Sequence, residues 1–295
     1  MEKKIGVITE TALDLPKGVA GKKGIMLVPI HILVNDVSRL HGKEIVNQEV
    51  VEHISQKDDV STEPPTPREY CSVFNRINDD YDLIYSLHVS SDLSQCHANA
   101  VHGLKLLKKK QKEEERGIFD NKIKVIDTRA VSISQGQIVN RIAGIVKTNH
   151  DQAKLDKYIK WLTRKATMFF VVDDLFWLKR AGKLNVFSGF MGKMLDIKPI
   201  IKLDDGKLVP MDKSRGKGSA IDIMVNLIKK TTPQYKRGVE VWVGHSVSLL
   251  DAKYVRTKLA VNFQIKENKI PIVDMGPTMV AHTGPGVVCV SILPY

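Results

Sequence analysis

Cysteine is scarce in this chain. Cys71, Cys96 and Cys289 are odd in number and far apart, and none sits in a CxxC pair or beside a histidine-rich run. Neither a disulfide framework nor a structural zinc site organises such a sequence. Long apolar runs are missing too: nothing approaches the roughly 18 to 20 residues that a bilayer-crossing helix needs. The start, Met1-Glu2-Lys3-Lys4 before Ile5-Gly6-Val7-Ile8, turns polar too soon for a signal peptide. A cytoplasmic protein is the expectation. No GxGxxG follows a strand, and GxxxxGK(S/T), GxSxG and HExxH do not occur. The usual machinery for dinucleotides, nucleoside triphosphates, serine hydrolysis and zinc proteolysis therefore lacks its signatures, and no metal or cofactor is expected. Acidic residues are in deficit, 33 against 45 Lys and Arg, which leaves a formal charge of +12. That balance favours anionic partners, whether nucleic acid, an anionic membrane surface or an acidic protein.

What is present describes a globular protein. Of 295 residues, 43% are hydrophobic and 26% charged, enough for two domains that each bury a core. Part of the positive charge lies in Lys105, Lys108, Lys109, Lys110 and Lys112, followed by Glu113, Glu114 and Glu115. This run reads as a solvated helix with (i, i+4) pairs. It carries no nucleic-acid module and no aromatic residues interleaved with the basic ones.

In the first half, β-branched runs alternate with amphipathic stretches, the pattern of a parallel sheet flanked by helices. Strands are expected at Lys4 to Thr9, Ile25 to Leu33, Asp82 to Val89 and Lys122 to Asp127, and helices at Pro67 to Ile77, Ser94 to Glu115 and Gln135 to Lys147. A helix from about Gln152 to Arg164 then leads to Met168-Phe169-Phe170-Val171-Val172-Asp173, and the rhythm changes. Lys198 to Leu203 and Lys207 to Met211 flank Asp204-Asp205-Gly206, a hairpin signal. Runs at Val239 to Gly244, Ile270 to Met275 and Val287 to Leu293 alternate with helices near Lys217 to Lys230 and Ser248 to Asn262. The expected fold is α/β: a parallel-sheet domain over 1–154 and a mixed-sheet α/β domain over 155–295.

Ligands of open α/β sheets bind beyond the carboxyl ends of the strands. Two clusters fit that position. Ser61-Thr62-Glu63-Pro64 is read as a loop before a helix that has Pro67 at a favoured early position, and Ser90-Ser91-Asp92-Leu93-Ser94-Gln95 joins a strand to a long helix. Helix capping explains these hydroxyls as well as ligand binding does. Together, however, such turns supply the donors a carboxylate needs. His282-Thr283-Gly284-Pro285-Gly286 sets a titratable ring in an expected turn between two strands. Leu178-Lys179-Arg180-Ala181-Gly182-Lys183-Leu184 reads as a basic turn before an apolar stretch with Phe187, Phe190, Met191, Met194 and Leu195, which suits core packing or a lipid tunnel equally. A rival enzyme reading makes Ser94 a nucleophile and His282 its base, giving an esterase or acyltransferase.

Taken in order, these strings resemble the DegV family of bacterial fatty-acid-binding proteins, some of which are the binding subunit of fatty acid kinase. The resemblance runs through nearly the whole chain. It is carried by Ile8-Thr9-Glu10-Thr11-Ala12-Leu13-Asp14-Leu15-Pro16, Val28-Pro29-Ile30, Ser61 to Pro64, Leu93-Ser94, Val125 to Thr128, Ser134-Gln135-Gly136, Leu175 to Leu184, Ile197 to Ile200, Asp205-Gly206, Arg215 and His282 to Gly286. It implies a long-chain fatty acid with its tail in the C-terminal domain and its carboxyl group at the domain interface. Ser61, Thr62, Ser94 and Gln95 would lie at that group, with His282 close by. Lys183 and Arg215 would face a partner fatty acid kinase, which alone would hold ATP. Glu10, Gln95 and Lys183 stand where the family usually has aspartate, glycine and arginine. Separately from the resemblance, the basic charge would favour a transient contact with anionic membrane, from which a fatty acid could be collected.

Overall fold

The computed structural model describes residues 3–114, 122–148, 151–180, 182, 197–231 and 238–295. The first part runs β1 (Ile5–Glu10), α1 (Val19–Lys23), β2 (Ile25–Val28), β3 (His31–Val34), β4 (Val37–Leu40), α2 (Asn47–Ser55), β5 (Val60–Glu63), α3 (Pro67–Ile77), β6 (Leu83–His88), α4 (Cys96–Glu113), β7 (Ile123–Asp127) and α5 (Ser132–Ile145). Then follow α6 (Gln152–Lys165), β8 (Thr167–Val171), α7 (Leu175–Arg180), β9 (Ile197–Asp204), β10 (Lys207–Arg215), α8 (Lys217–Thr231), β11 (Val239–His245), α9 (Leu249–Phe263), β12 (Ile272–Asp274), α10 (Pro277–Thr283) and β13 (Val288–Pro294).

Among the described residues the strands form three sheets. A four-stranded parallel sheet has the order β2-β1-β6-β7, and a separate six-stranded mixed sheet has the order β10-β9-β8-β13-β11-β12. These are the two α/β layers expected from the sequence. The third sheet, β4-β3-β5, is small and antiparallel and was not foreseen. It arises because the apolar run from Ile25 is two strands. Pro29 offers no backbone N–H, so β2 pairs with β1 before it and β3 crosses to a different sheet after it. The hairpin is as expected: Asp204 pairs with Lys207 across Asp205 and Gly206, whose φ values of 47° and 88° are those a tight two-residue turn requires.

Burial ties the sheets together. One apolar cluster contains Tyr85, Leu87 and Ile138 from the first part and Phe170, Trp242 and Met275 from the second. The boundary expected at 154/155 falls inside α6, whose Leu155, Ile159 and Leu162 are buried in that same cluster. Polar links add to it. Ser90 Oγ donates to Gly206 O at 2.7 Å, and Arg129 pairs with Asp205 at 2.6 Å, so the hairpin tip rests on the turn that follows β6. On α4, the (i, i+4) pairs Lys109–Glu113 and Lys110–Glu114 form on an exposed face, as the charge run suggested. Among the described residues no helix is long and apolar enough to cross a membrane.

Candidate ligand-binding site

β1 leads to β2 on one side of the parallel sheet and β6 leads to β7 on the other. The crevice beyond β1 and β6 is therefore a topological switch point. A cavity of about 410 Å³ opens there, within the range of small-molecule sites. Ala12, Ile30, Val89, Leu93 and Val131 wall it from the first part of the chain, and Met168, Phe170, Leu178, Leu208, Met275, Met279 and Val287 from the second. A smaller polar set comprises Thr62, Ser91, Asp92, Ser94, Gln95, Thr278, His282 and Thr283. Three methionines among so many apolar side chains make an adaptable wall, since the thioether chain is unbranched and turns about three bonds.

The residues singled out from the sequence divide clearly. Thr62 Oγ1 lies 2.8 Å from His282 Nε2, so groups 220 positions apart meet at the cavity. Ser94 stands two residues before α4, where its Oγ accepts from Cys96 N at 3.3 Å and donates to Cys96 Sγ at 3.2 Å. Gln95 is exposed at the start of that helix and also lines the cavity. Ser61 does not line it. The segment read as a loop is strand β5, so Ser61 and Thr62 project to opposite faces, and Ser61 is exposed. Arg215 is exposed at the end of β10 and is not part of the lining. Lys183, with Phe187, Phe190, Met191, Met194 and Leu195, lies outside the described residues. His282 is held in the last turn of α10 rather than in a strand-to-strand turn. Pro277 at the first helical position starts that helix.

Behind the cavity lies a sealed polar network. Glu10 and His88 are both fully buried, and Glu10 Oε2 is 2.7 Å from His88 Nδ1. Glu10 Oε1 accepts from Val89 N and from Gln135 Nε2, each at 2.7 Å. Burial alone would raise this carboxyl group, but attraction and hydrogen bonding from His88, Gln135 and Val89 outweigh it and hold the group below its ordinary value. Through Val89, Glu10 fixes the end of β6 just before the turn carrying Ser94. His88 Nε2 also meets Ser86 Oγ at 2.6 Å, giving a Ser-His-Glu line. All three side chains are fully buried, so no substrate reaches them. Among the described residues, Ser94 bonds to Cys96 and His282 to Thr62, and no hydrogen bond of the kind an esterase would need joins Ser94 to His282.

Sequence reasoning missed three contributors. Asp14 is buried, accepts from Ser132 Oγ at 2.5 Å and from Gly276 N at 2.7 Å, and is pushed up to about 6 by that burial. His41 Nδ1 lies 2.8 Å from Thr278 Oγ1, and burial lowers its ring to about 4. Thr278 is the cavity residue they share a neighbourhood with. A signal existed for Asp14 in the string from Thr9 to Pro16, and for its surroundings in Ser134-Gln135-Gly136. A Cβ at position 136 would fall 2.0 Å from the Asp14 carbonyl oxygen, so only glycine fits beneath that turn.

A family model described as "Uncharacterised protein, DegV family" matches residues 4–295. The chain belongs to the DegV family. A DegV domain-containing protein of Staphylococcus aureus (strain N315) is 25% identical over 294 residues, 99% of each chain. A fatty-acid-binding DegV family protein of Thermus thermophilus superposes with a TM-score of 0.88 at 21% identity, over 99% of this chain and 100% of that one. A stearic acid-binding protein of Eubacterium ventriosum gives 0.87 at 19% identity, over 100% of this chain and 98% of that one. The two-domain DegV architecture is thereby shared from end to end.

Proposed function

We propose that this chain binds one long-chain fatty acid, its tail in the apolar cavity and its carboxyl group against Thr62, His282 and Ser94. The observation that carries the reading is a 410 Å³ cavity with predominantly apolar walls and, in its lining, a Thr–His pair contributed by both parts of the chain. DegV structures named for fatty acid and stearic acid support it. Burying a tail of about 15 methylenes at roughly 0.8 kcal/mol each gives on the order of 12 kcal/mol before ordering costs, so a few polar contacts need only orient the head. The test is mass spectrometry of organic extracts. An acyl chain is expected at close to one per protein, and extracts without one, together with no uptake of added fatty acid, would sink the reading.

Head-group contacts give a graded expectation. Ser94→Ala and Thr62→Ala should each weaken fatty acid binding by about 0.5 to 3 kcal/mol, the range for losing one hydrogen bond to a charged or buried group. Ser61→Ala, with its side chain on the other face of β5, should bind like the parent. Titration calorimetry on delipidated protein decides the matter. If all three variants bind alike, the carboxyl group lies elsewhere.

The same reading extends to handing the lipid over to a fatty acid kinase, with Lys183 and Arg215 on the coupling side and an anionic membrane as lipid source. Affinity comes mainly from the tail, so Arg215→Ala should leave binding within about twofold. Acyl phosphate formation with a purified cognate kinase should fall at least tenfold, about 1.4 kcal/mol, because charge stabilisation matters most where charge develops. Parent-like phosphorylation would remove Arg215 from that role.

A further inference from the structure

Helix α10 supplies Thr278, Met279, His282 and Thr283 to the cavity wall. Polar ties to it reach from the first part of the chain. Asp14 accepts from Gly276 N at 2.7 Å, His41 meets Thr278 at 2.8 Å, and Thr62 meets His282 at 2.8 Å. Glycines flank the helix on both sides: Gly276 before it, and Gly284 and Gly286 after it with φ of 70° and 90°. A Cβ on Gly276 would come within 3.0 Å of the His41 ring and 3.1 Å of Asp14 Oδ1, so the approach of these groups is close. A Cβ on Gly284 would fall 2.3 Å from the Trp177 ring and one on Gly286 2.9 Å from Asp173, and small residues at element ends are often the ones that serve as hinges.

We propose that Asp14 is a positioning residue, the latch whose grip on Gly276 sets how readily α10 lifts from the cavity and lets a fatty acid exchange. The inference rests on the fatty acid reading of the cavity. Its sign follows from linkage. Burial raises Asp14 to about 6 in the closed arrangement, whereas a hydrated carboxyl group ionises near 4. Ionisation therefore disfavours the closed state, and the loss accrues as pH climbs from about 4 to about 6 and is complete above it. The titratable groups facing Asp14 reinforce this. Asp274 on β12 pushes it up, His41 is neutral above about pH 4, and Cys289 on β13 is a buried thiol whose own ionisation is pushed up. At neutral pH the latch is held by an anion that opening would hydrate.

Hydrogen exchange of the α10 peptide, corrected for intrinsic rates, is measured on delipidated full-length protein from pH 4 to 8. Palmitate release rates are measured beside it, for the parent, Asp14→Asn and Asp14→Ala. The parent's α10 exchange is expected to speed up between pH 4 and 6, and that of Asp14→Asn to stay flat. At pH 7.5, Asp14→Asn keeps an acceptor for Gly276 without a charge, so α10 exchange and palmitate release should both slow at least tenfold. Asp14→Ala leaves the Gly276 and Ser132 donors unpaired and should speed both. A group that merely fills space predicts the same direction for the two variants, and that result overturns the proposal. So does a pH step that persists in Asp14→Asn. Should Asp14→Ala fail to fold, the sign of the Asp14→Asn effect decides alone. A parent that binds no palmitate but shows the step defeats the fatty acid reading and leaves the latch standing.

Discussion

Glu10→Ala is expected to lower the unfolding free energy by several kcal/mol, at about 1 to 3 kcal/mol for each buried partner left unsatisfied. His88 would lose its carboxylate at 2.7 Å, Val89 N would be stranded where water does not reach, and Gln135 Nε2 would keep only Thr9 Oγ1 at 3.0 Å. Denaturant unfolding monitored by circular dichroism reads the change. Glu10→Gln should recover part of it, because one amide oxygen still accepts while the charge is gone. A loss under about 1 kcal/mol for Glu10→Ala would mean that the network relaxes around the gap and that Glu10 does not anchor the end of β6.

The second large effect concerns the ligand. Ala12 is buried at 4% exposure where the chain leaves β1, and its side chain borders the cavity. Ala12→Phe should take up room otherwise filled by about four methylenes, a loss near 3 kcal/mol at roughly 0.8 kcal/mol each. Fatty acid affinity should drop by at least a hundredfold. Overpacking costs of about 1 to 3 kcal/mol would show separately as a lower unfolding midpoint. Parent-like affinity in a folded Ala12→Phe protein would place the tail in another space.

How much of this was legible without coordinates depends on the kind of signal. The strands of both main sheets were readable because buried strands are written as near-continuous apolar runs, as in Leu83 to Leu87, broken only at Ser86, or Met168 to Val171. The small antiparallel sheet was not. β5 is only Val60–Glu63, its exposed positions are polar, and three prolines follow within the next four residues, so it read as loop. Composition could not show which hydroxyls face inward, because that depends on the pleat of β5 and places Thr62 and Ser61 on opposite sides. His282 stands out in the sequence for its glycine-rich surroundings, whereas the helix that carries it is announced only by Pro277. The string from Thr9 to Pro16 contains Asp14, yet neither its role nor that of His41 is written locally. Their importance comes from burial against residues more than 230 positions away, and no local pattern encodes that.

β13 lies between β8 and β11 in the middle of the mixed sheet, and Val287, just before it, walls the cavity. During synthesis, then, the centre of that sheet is laid down after both of its flanks. β8 and β11 leave the ribosome without the neighbour that pairs them, and the pocket stays open on one side until this last strand emerges. A nascent chain can thus complete its parallel sheet before its cavity has every wall.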